Sequence, residues 1–370
     1  MNQSAKRRNL LIALLFLAPN LTGFLVFTFG PIVASLLGSF TSWNLRPSVP
    51  LKFIGLQNYI DLFSDPNFYF YLYNTLYMLL ALPISIAGSL ALAVFLSQKL
   101  ELRGPRAALR LSVIALVFTL LLTAFLFFSG SPNAAYFFLA LGLLSAIGVY
   151  FGSIGYRTFY YLPHFTAGAG TILLWMQLYN PNFGLINQSI VAFGNLFGWQ
   201  IDPPGWLTST KSLFGFLPLP EHFNNGGFGL GAREAIMLMG IWAGIGGNTM
   251  ILYLAGISNI PPELYEASDI DGASGWQRFR FITFPQLAPT TFFVVVMGMI
   301  GGLQGGFEQA RLMTEGGPAG TTTTLSYYIY TQGFERLDLG YGAAVSWVLF
   351  IIIMGVTLIN WRYGNKADAD

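Results

Sequence analysis

Apolar runs long enough to cross a bilayer recur along the whole chain, and they dictate what it can fold into. A helix spanning ~30 Å of hydrocarbon needs about 20 such residues. Runs of this kind lie at about 10–38, 71–97, 111–129, 135–155, 158–179, 235–257, 288–308 and 341–361. They are continuous rather than alternating, which disfavours the two-faced strands of a membrane barrel. The expected fold is therefore all-α and polytopic, with about eight transmembrane helices. Only 9% of the 370 residues are charged and 54% are hydrophobic, whereas a soluble domain carries about 25% charge. A soluble protein of this size could not cover its surface with so few charges. Those values exclude disorder as well. A net charge of +2 gives no grip on nucleic acid. The absence of cysteine excludes disulfides, thiolate nucleophiles and cysteine metal sites. The first run follows Lys6-Arg7-Arg8, but it is too long for a signal peptide and has no small-residue cleavage site.

Orientation follows from lysine and arginine. With the N-terminus inside and eight spans alternating, the inner segments hold Lys6, Arg7, Arg8, Lys99, Arg103, Arg106, Arg110, Arg157, Arg278, Arg280, Arg362 and Lys366. The outer ones hold Arg46, Lys52, Lys211, Arg233, Arg311 and Arg336. Both termini are thus expected in the cytoplasm. The chain divides into an N-terminal span and outer loop (1–70), a second helix and inner loop (71–110), an apolar hairpin (111–155), a main body (156–361) and a tail (362–370). Within the main body, 180–234 is expected outside and 258–287 inside.

Among the acids, Glu308 alone falls within an apolar run, near its outer end. A carboxylate at mid-bilayer costs roughly 2.5–3.5 kcal/mol on the insertion scale, so proton coupling through side chains is disfavoured. Sodium coupling through backbone carbonyls stays open, and a self-contained sodium-coupled carrier is the alternative reading. No lysine follows a glycine, so there is no P-loop; if ATP drives the protein, another subunit binds it. No metal site or cofactor is expected in this chain, and His164 and His222 are isolated.

The inner segment 258–287 is the most informative. Pro261 and Pro262 can open a helix, where their missing N–H groups are not needed. Glu263, Glu266, Asp269 and Asp271 populate it, and Gly272 suits a left-handed stop. A further turn carries Trp276, Phe279 and Phe281 with Arg278 and Arg280 between them. Pro285 and Pro289 restart a helix into the membrane. Two short helices about a glycine, lying along the inner face, suit docking into a partner's groove. An ordinary surface helix with a glycine cap is the competing reading.

Glu266-Ala267-Ser268, Asp271-Gly272-Ala273, Phe279, Ile282, Phe284-Pro285 and Pro289 resemble the "EAA" loop of bacterial ABC importer permeases. Ser268 stands for the second alanine and Phe284 for a leucine. Phe53-Ile54-Gly55-Leu56-Gln57-Asn58-Tyr59, Asn74-Thr75-Leu76, Asn180-Pro181-Asn182-Phe183-Gly184 through Asn187, Thr314-Glu315-Gly316-Gly317-Pro318, and Thr324-Leu325 with Tyr328-Ile329-Tyr330 are similar to its maltose-type branch, first permease subunit. That branch handles oligosaccharides, polyols and glycerol phosphates. The resemblance implies a six-helix core in the bacterial inner membrane, without enzymatic activity of its own. It implies a second homologous permease, two ATPase subunits carrying ATP and Mg, and an extracytoplasmic solute-binding protein as partners. It also implies that Glu263, Glu266, Ala267, Ser268, Asp271, Gly272, Ala273, Trp276, Arg278, Phe279 and Pro285 couple to an ATPase. Arg278 and Arg280 either pair with that partner or obey the inside-positive bias.

Between Arg103-Gly104-Pro105 and Tyr156-Arg157-Thr158 about 50 residues intervene, which that branch lacks. They read as an inserted hairpin turning at Ser129-Gly130-Ser131-Pro132-Asn133, expected to face lipid, with a docking face for an extra membrane partner as the alternative. Sugar pathways use aromatic faces and amides. The candidates are Trp242, Gly244 and Asn248 before the inner loop, and Gln304 and Glu308 after it. Gly246-Gly247, Gly301-Gly302 and Gly305-Gly306 permit close helix approach or an unwound segment lining a cavity. Glu308 and Arg311, three apart, suit a local ion pair. Trp175 and Trp361 read as interfacial anchors.

Overall fold

The computed structural model of the protein describes residues 3–97, 105–128, 130, 132–165, 168–217, 223 and 226–367. Lys99, Arg103, Gly104, Ser129, Ser131 and His222, which figure in the sequence reading, lie outside the described residues. Regular structure among the described residues is entirely helical, and strand pairing is confined to isolated bridges. The chain forms two compact units, residues 1–69 with 328–352, and residues 70–327 with 353–370.

The chain opens with α1 (Gln3–Phe24), a π-helical turn (Leu25–Phe29) and α2 (Gly30–Gly38). Then come α3 (Gln57–Ser64), α4 (Pro66–Met78), α5 (Ala81–Ser97), α6 (Pro105–Phe128), α7 (Pro132–Phe165), α8 (Ala169–Leu178) and α9 (Leu185–Leu196). The bent pair α10 (Ala232–Gly244) and α11 (Gly247–Ser258) precedes the short helices α12 (Pro262–Ile270), α13 (Gly275–Arg278) and α14 (Phe284–Gln286). The rest are α15 (Ala288–Gln304), α16 (Phe307–Gln309), α17 (Leu325–Tyr330) and α18 (Leu339–Ala367).

Five described stretches are long and apolar enough to cross a membrane: Ile12–Gly38, Pro66–Ser97, Leu109–Phe128, Ala288–Thr314 and Leu339–Arg362. The pair α10–α11, bent by 40°, makes a sixth if taken as one crossing. These coincide with six of the eight expected runs. The other two are divided differently from the expectation. Instead of ending near 155, α7 runs unbroken through Arg157, and the 155/156 boundary drawn from sequence falls inside it. One arginine does not end an apolar helix, because its long side chain can reach a polar partner. Here Arg157 Nη2 donates to the Leu96 carbonyl at 2.8 Å. The break comes at Gly168, where φ is +93°.

In the first unit the loop after α2 is pinned by Asn58. Its amide donates to the Ser39 and Thr41 carbonyls at 2.8 and 3.0 Å, which explains the Gln57-Asn58-Tyr59 motif. The Tyr328 hydroxyl donates to Asp65 at 2.7 Å and lies 3.1 Å from that of Tyr341. Burial, followed by these two hydrogen bonds, pushes the Tyr328 hydroxyl well above the usual phenol range, so it stays a neutral donor.

In the second unit, small residues let helices approach. A Cβ on Gly302 would lie 2.5 Å from Leu79, one on Gly298 2.5 Å from Leu82, and one on Gly88 2.7 Å from Ile245. α6 and α7 pack as a pair, with Ser112 Oγ donating to the Ala146 carbonyl at 2.8 Å. Trp175 is buried in a cluster with Ile172, Tyr179, Trp206, Ile236 and Met239, contrary to the interfacial anchor expected of it. Its ring is large enough to fill the gap between α8 and α10. Trp361 is exposed.

A Cβ at Gly142 would sit 2.1 Å from two atoms of Thr119 and 2.6 Å from its Cβ, leaving no rotamer to escape into. Gly142→Val is therefore expected to destabilise the α6–α7 pair by about 1–3 kcal/mol. Gly301→Ala, where nothing lies within 4 Å, should be near neutral. Thermal unfolding of the purified protein compares the two.

Candidate functional site

The inner segment folds as two short arms about a glycine. Pro262 opens α12, Glu263 lies in its first turn, and Gly272 ends it at φ +70° with open space around it. Ser274 then caps α13: its side chain accepts from Gln277 N–H and the Gln277 side chain accepts from Ser274 N–H. That is a reciprocal capping box. Rather than stopping, the helix passes through a π turn, Phe279–Thr283, into α14 and on to α15. Pro285 sits in the first turn of α14 and Pro289 in that of α15, where a missing N–H is tolerated.

Two sides of this loop differ. Ser268 is buried and donates to the Tyr265 carbonyl at 2.6 Å, so the small residue at the motif's third position is a packing requirement. Glu263, Glu266, Ala267, Asp271 and Gly272 face outward. With them stand bare apolar side chains: Ile270 at 87% exposure, Trp276 at 69% and Phe281 at 73%. Ala273, Arg278 and Phe279 are half-buried. Arg278 forms an ion pair with Asp269 at 2.8 Å, which places it inside the loop's own structure.

The residues proposed for a solute pathway gather in part around the α10–α11 break. Gly246 adopts φ +98°, and a Cβ there would meet the Tyr160 carbonyl at 2.5 Å. The two peptide groups exposed by the break share one hydroxyl. Ser89 Oγ donates to the Gly244 carbonyl at 2.9 Å and accepts from Gly246 N–H at 3.2 Å. Asn248 accepts from the Tyr161 hydroxyl at 3.1 Å. Gly244 and Asn248 line a cavity of about 400 Å³ with Ser85, Thr249 and Gly302. Trp242 lies outside that lining, edge-on to Trp175 at 5.5 Å. Gln304, the last residue of α15, and Glu308, in α16, also lie outside it and are exposed. Arg311 lies over the Phe307 ring at 5.8 Å. His164 packs against the Tyr161 ring at 5.3 Å.

A second polar cluster lies at the start of α10. Arg233 and Glu234, assigned to an outer loop, are both buried. Glu234 accepts from the Tyr77 hydroxyl, from Leu213 N–H at 2.9 Å and from Gly231 N–H at 3.0 Å. Arg233 Nε donates to the Thr321 carbonyl at 2.9 Å, and its guanidinium lies within 5.5 Å of the Phe70, Tyr73 and Tyr77 ring centres. Asn74 donates to the Gly320 and Thr323 carbonyls at 2.9 and 3.0 Å, and Thr75 Oγ1 accepts from Leu325 N–H at 2.9 Å. The distant Asn74-Thr75 and Thr321–Leu325 motifs are therefore two halves of one contact. The Asn180–Asn187 motif also has a local cause. Asn180 Oδ1 accepts from Asn182 and Phe183 N–H, Gly184 leaves no room for a Cβ, and Asn187 accepts from Trp206 Nε1 at 2.6 Å.

Residues 66–364 match the family model described as the binding-protein-dependent transport system inner membrane component. The chain belongs to that family. It is 31% identical over 356 residues to a probable ABC transporter permease protein of Pyrococcus horikoshii, covering 95% of this chain and 96% of that one. Over 215 residues it is 33% identical to the sn-glycerol-3-phosphate transport system permease protein UgpA of Yersinia enterocolitica, covering 58% and 64%. Its fold matches a chain of a bacterial alginate ABC transporter, solved with an alginate pentasaccharide-bound periplasmic protein. That match has a TM-score of 0.65 and 21% identity, and covers 97% of this chain and 94% of that one. The chain is thus a multi-pass inner-membrane permease of the ABC importer type, a non-enzymatic component.

In this permease Ser89, Tyr161, Asn74, Arg233 and Glu234 are structural determinants that the sequence reading missed as partners. Asn74-Thr75 was the one available signal. Glu234→Ala would strip three donors of their acceptor, and is expected to cost about 3 kcal/mol or more. The check is a lowered unfolding midpoint, with Glu234→Gln losing less because it retains an acceptor oxygen.

Proposed function

We propose that this permease imports a sugar-class solute, meaning a sugar, an oligosaccharide or a related polyol or glycerol phosphate. An extracytoplasmic solute-binding protein delivers it. ATP is hydrolysed with Mg on two separate ATPase subunits, and a second homologous permease completes the pathway. Both termini and segment 258–287 face the cytoplasm. One observation carries the reading: the exposed Ile270, Trp276 and Phe281, interspersed with Glu263, Glu266 and Asp271 on a glycine-hinged pair of helices. Such apolar exposure marks a surface that a partner covers. The solute class is supported by the glycerol-phosphate permease relatives and by the alginate transporter fold. The solute's route passes the α10–α11 break, with Gly244 and Asn248 at its cavity and Trp242, Gln304 and Glu308 along its length. Chemistry belongs to the ATPases; this chain supplies two access states and the surface through which they are switched.

Glu266→Lys and Gly272→Pro are each expected to abolish ATP-driven uptake while leaving membrane insertion intact. The first reverses charge on the outward face. The second forces φ near −65° where +70° is required. Co-purification of the ATPase and solute-stimulated hydrolysis in proteoliposomes check this; normal uptake by a well-inserted Glu266→Lys protein would defeat the reading. Because the chain has no cysteine, a single Ser274→Cys variant reports orientation directly. It should react with an impermeant thiol reagent from the cytoplasmic side alone.

A further inference from the structure

We infer that Tyr265, Thr283 and Asp269 are positioning residues that lock the two arms of segment 258–287 into one rigid lever, so that motion applied to α12 is delivered into α15. This rests on the reading of the segment as an ATPase-docking loop.

α12 has only nine residues, too few to be stable alone. Its entry is weakly held. Pro261 is extended, with ψ 128°, and a proline has no N–H to bond backward. On the side facing α5, α7 and α11 its backing is a cavity of about 1080 Å³, with Pro262 and Tyr265 in one wall and Ser97, Arg157, Leu254 and Ser258 in others. A push on α12 would tip it into that space unless another contact resisted.

Two cross-links supply the resistance, and both lead to the second arm. The Tyr265 hydroxyl lies 2.9 Å from Thr283 Oγ1. Asp269 pairs with Arg278 at 2.8 Å across the glycine hinge, and Arg278 Nε also donates to the Ala273 carbonyl at 3.2 Å within the second arm. The links attach at successive turns of α12, so together they oppose rotation as well as bending. Thr283 is buried and ends the π turn. Its carbonyl accepts from Leu287 N–H at 3.1 Å, and Leu287 is fully buried with Leu90, Met250 and Tyr253. The path from Tyr265 through Thr283 to Leu287 therefore ends in the packed core between α5, α11 and α15. The chain from α13 through the π turn and α14, broken only at Leu287, leads directly into α15. Neither link is strong alone, since an exposed ion pair contributes little. Their shared effect is on how α12 moves, not on whether the protein folds.

The test is the number of solute molecules taken up per ATP hydrolysed, measured on the full complex in proteoliposomes. Tyr265→Phe and Thr283→Val are each expected to lower that ratio by about fivefold, the factor a single net hydrogen bond commands. The double variant should be no worse than either single one, because they share one bond, and Thr283→Ser should retain the wild-type ratio. Asp269→Asn lies on the surface and does not threaten folding; it should lower the ratio by about two- to threefold in complexes that retain the ATPase. An unchanged ratio in Tyr265→Phe and Asp269→Asn would overturn the lever. So would uptake and hydrolysis falling in proportion, the mark of a merely structural role. Failure of the wild-type chain to bind an ATPase would instead defeat the docking reading itself, so the two failures are told apart.

Discussion

Within hydrocarbon every peptide N–H and C=O must find a partner inside the protein, because water is not there to supply one. Most of this permease meets that demand with uninterrupted helices. One interruption among the described residues is the α10–α11 break, and there a single hydroxyl serves both freed peptide groups. Ser89 both donates across the break to Gly244 and accepts from Gly246. With those groups satisfied, the helix can bend by 40° and open its glycines towards Tyr160, His164 and the neighbouring cavity. A continuous helix would present a sealed apolar face at that depth. The bend brings Gly244 and Asn248 to the wall of that cavity.

The same accounting governs the Arg233–Glu234 cluster. A buried carboxylate is tolerated because three donors converge on it, and a buried guanidinium because aromatic rings and a carbonyl surround it. The loop bearing Thr321–Thr324 is held by these groups and by Asn74, with its own hydroxyls returned to backbone carbonyls at Gly316, Gly317 and Pro318. Irregular chain is thereby fixed in position without a hydrophobic core of its own. Segment 258–287 follows another logic. It leaves Ile270, Trp276 and Phe281 uncovered while spending its polar contacts on internal bracing.

Much of this was legible in the order of residues. Six apolar runs correspond to described crossings, since length and hydropathy suffice to define a span. The helix–glycine–helix form of 258–287 followed from Pro262, Gly272 and the spacing of acids and aromatics. What misled was local charge. Arg157 looked like a loop residue and is carried by a helix, because one carbonyl on α5 suffices for it. Arg233 and Glu234 looked like outer-loop charges and are buried, because their partners Tyr77, Leu213 and Thr321 are dispersed along the chain. Trp175 had the look of an anchor and serves as packing. Of the pathway candidates, Gly244 and Asn248 reach the cavity at the break, whereas Trp242, Gln304 and Glu308 do not line it.

The sequence by itself determined that the chain lives in a membrane as helices, that it carries no P-loop, and that 258–287 forms a helix–glycine–helix segment. These are properties of composition, run length and local turn chemistry, and each is written within a few adjacent residues. Tertiary structure decided which polar groups satisfy one another: Ser89 with the break, Asn74 with Thr323, Tyr265 with Thr283. Such pairs unite residues up to about 250 positions apart, and a hydrogen bond depends on separation in space, which no local pattern along a chain encodes.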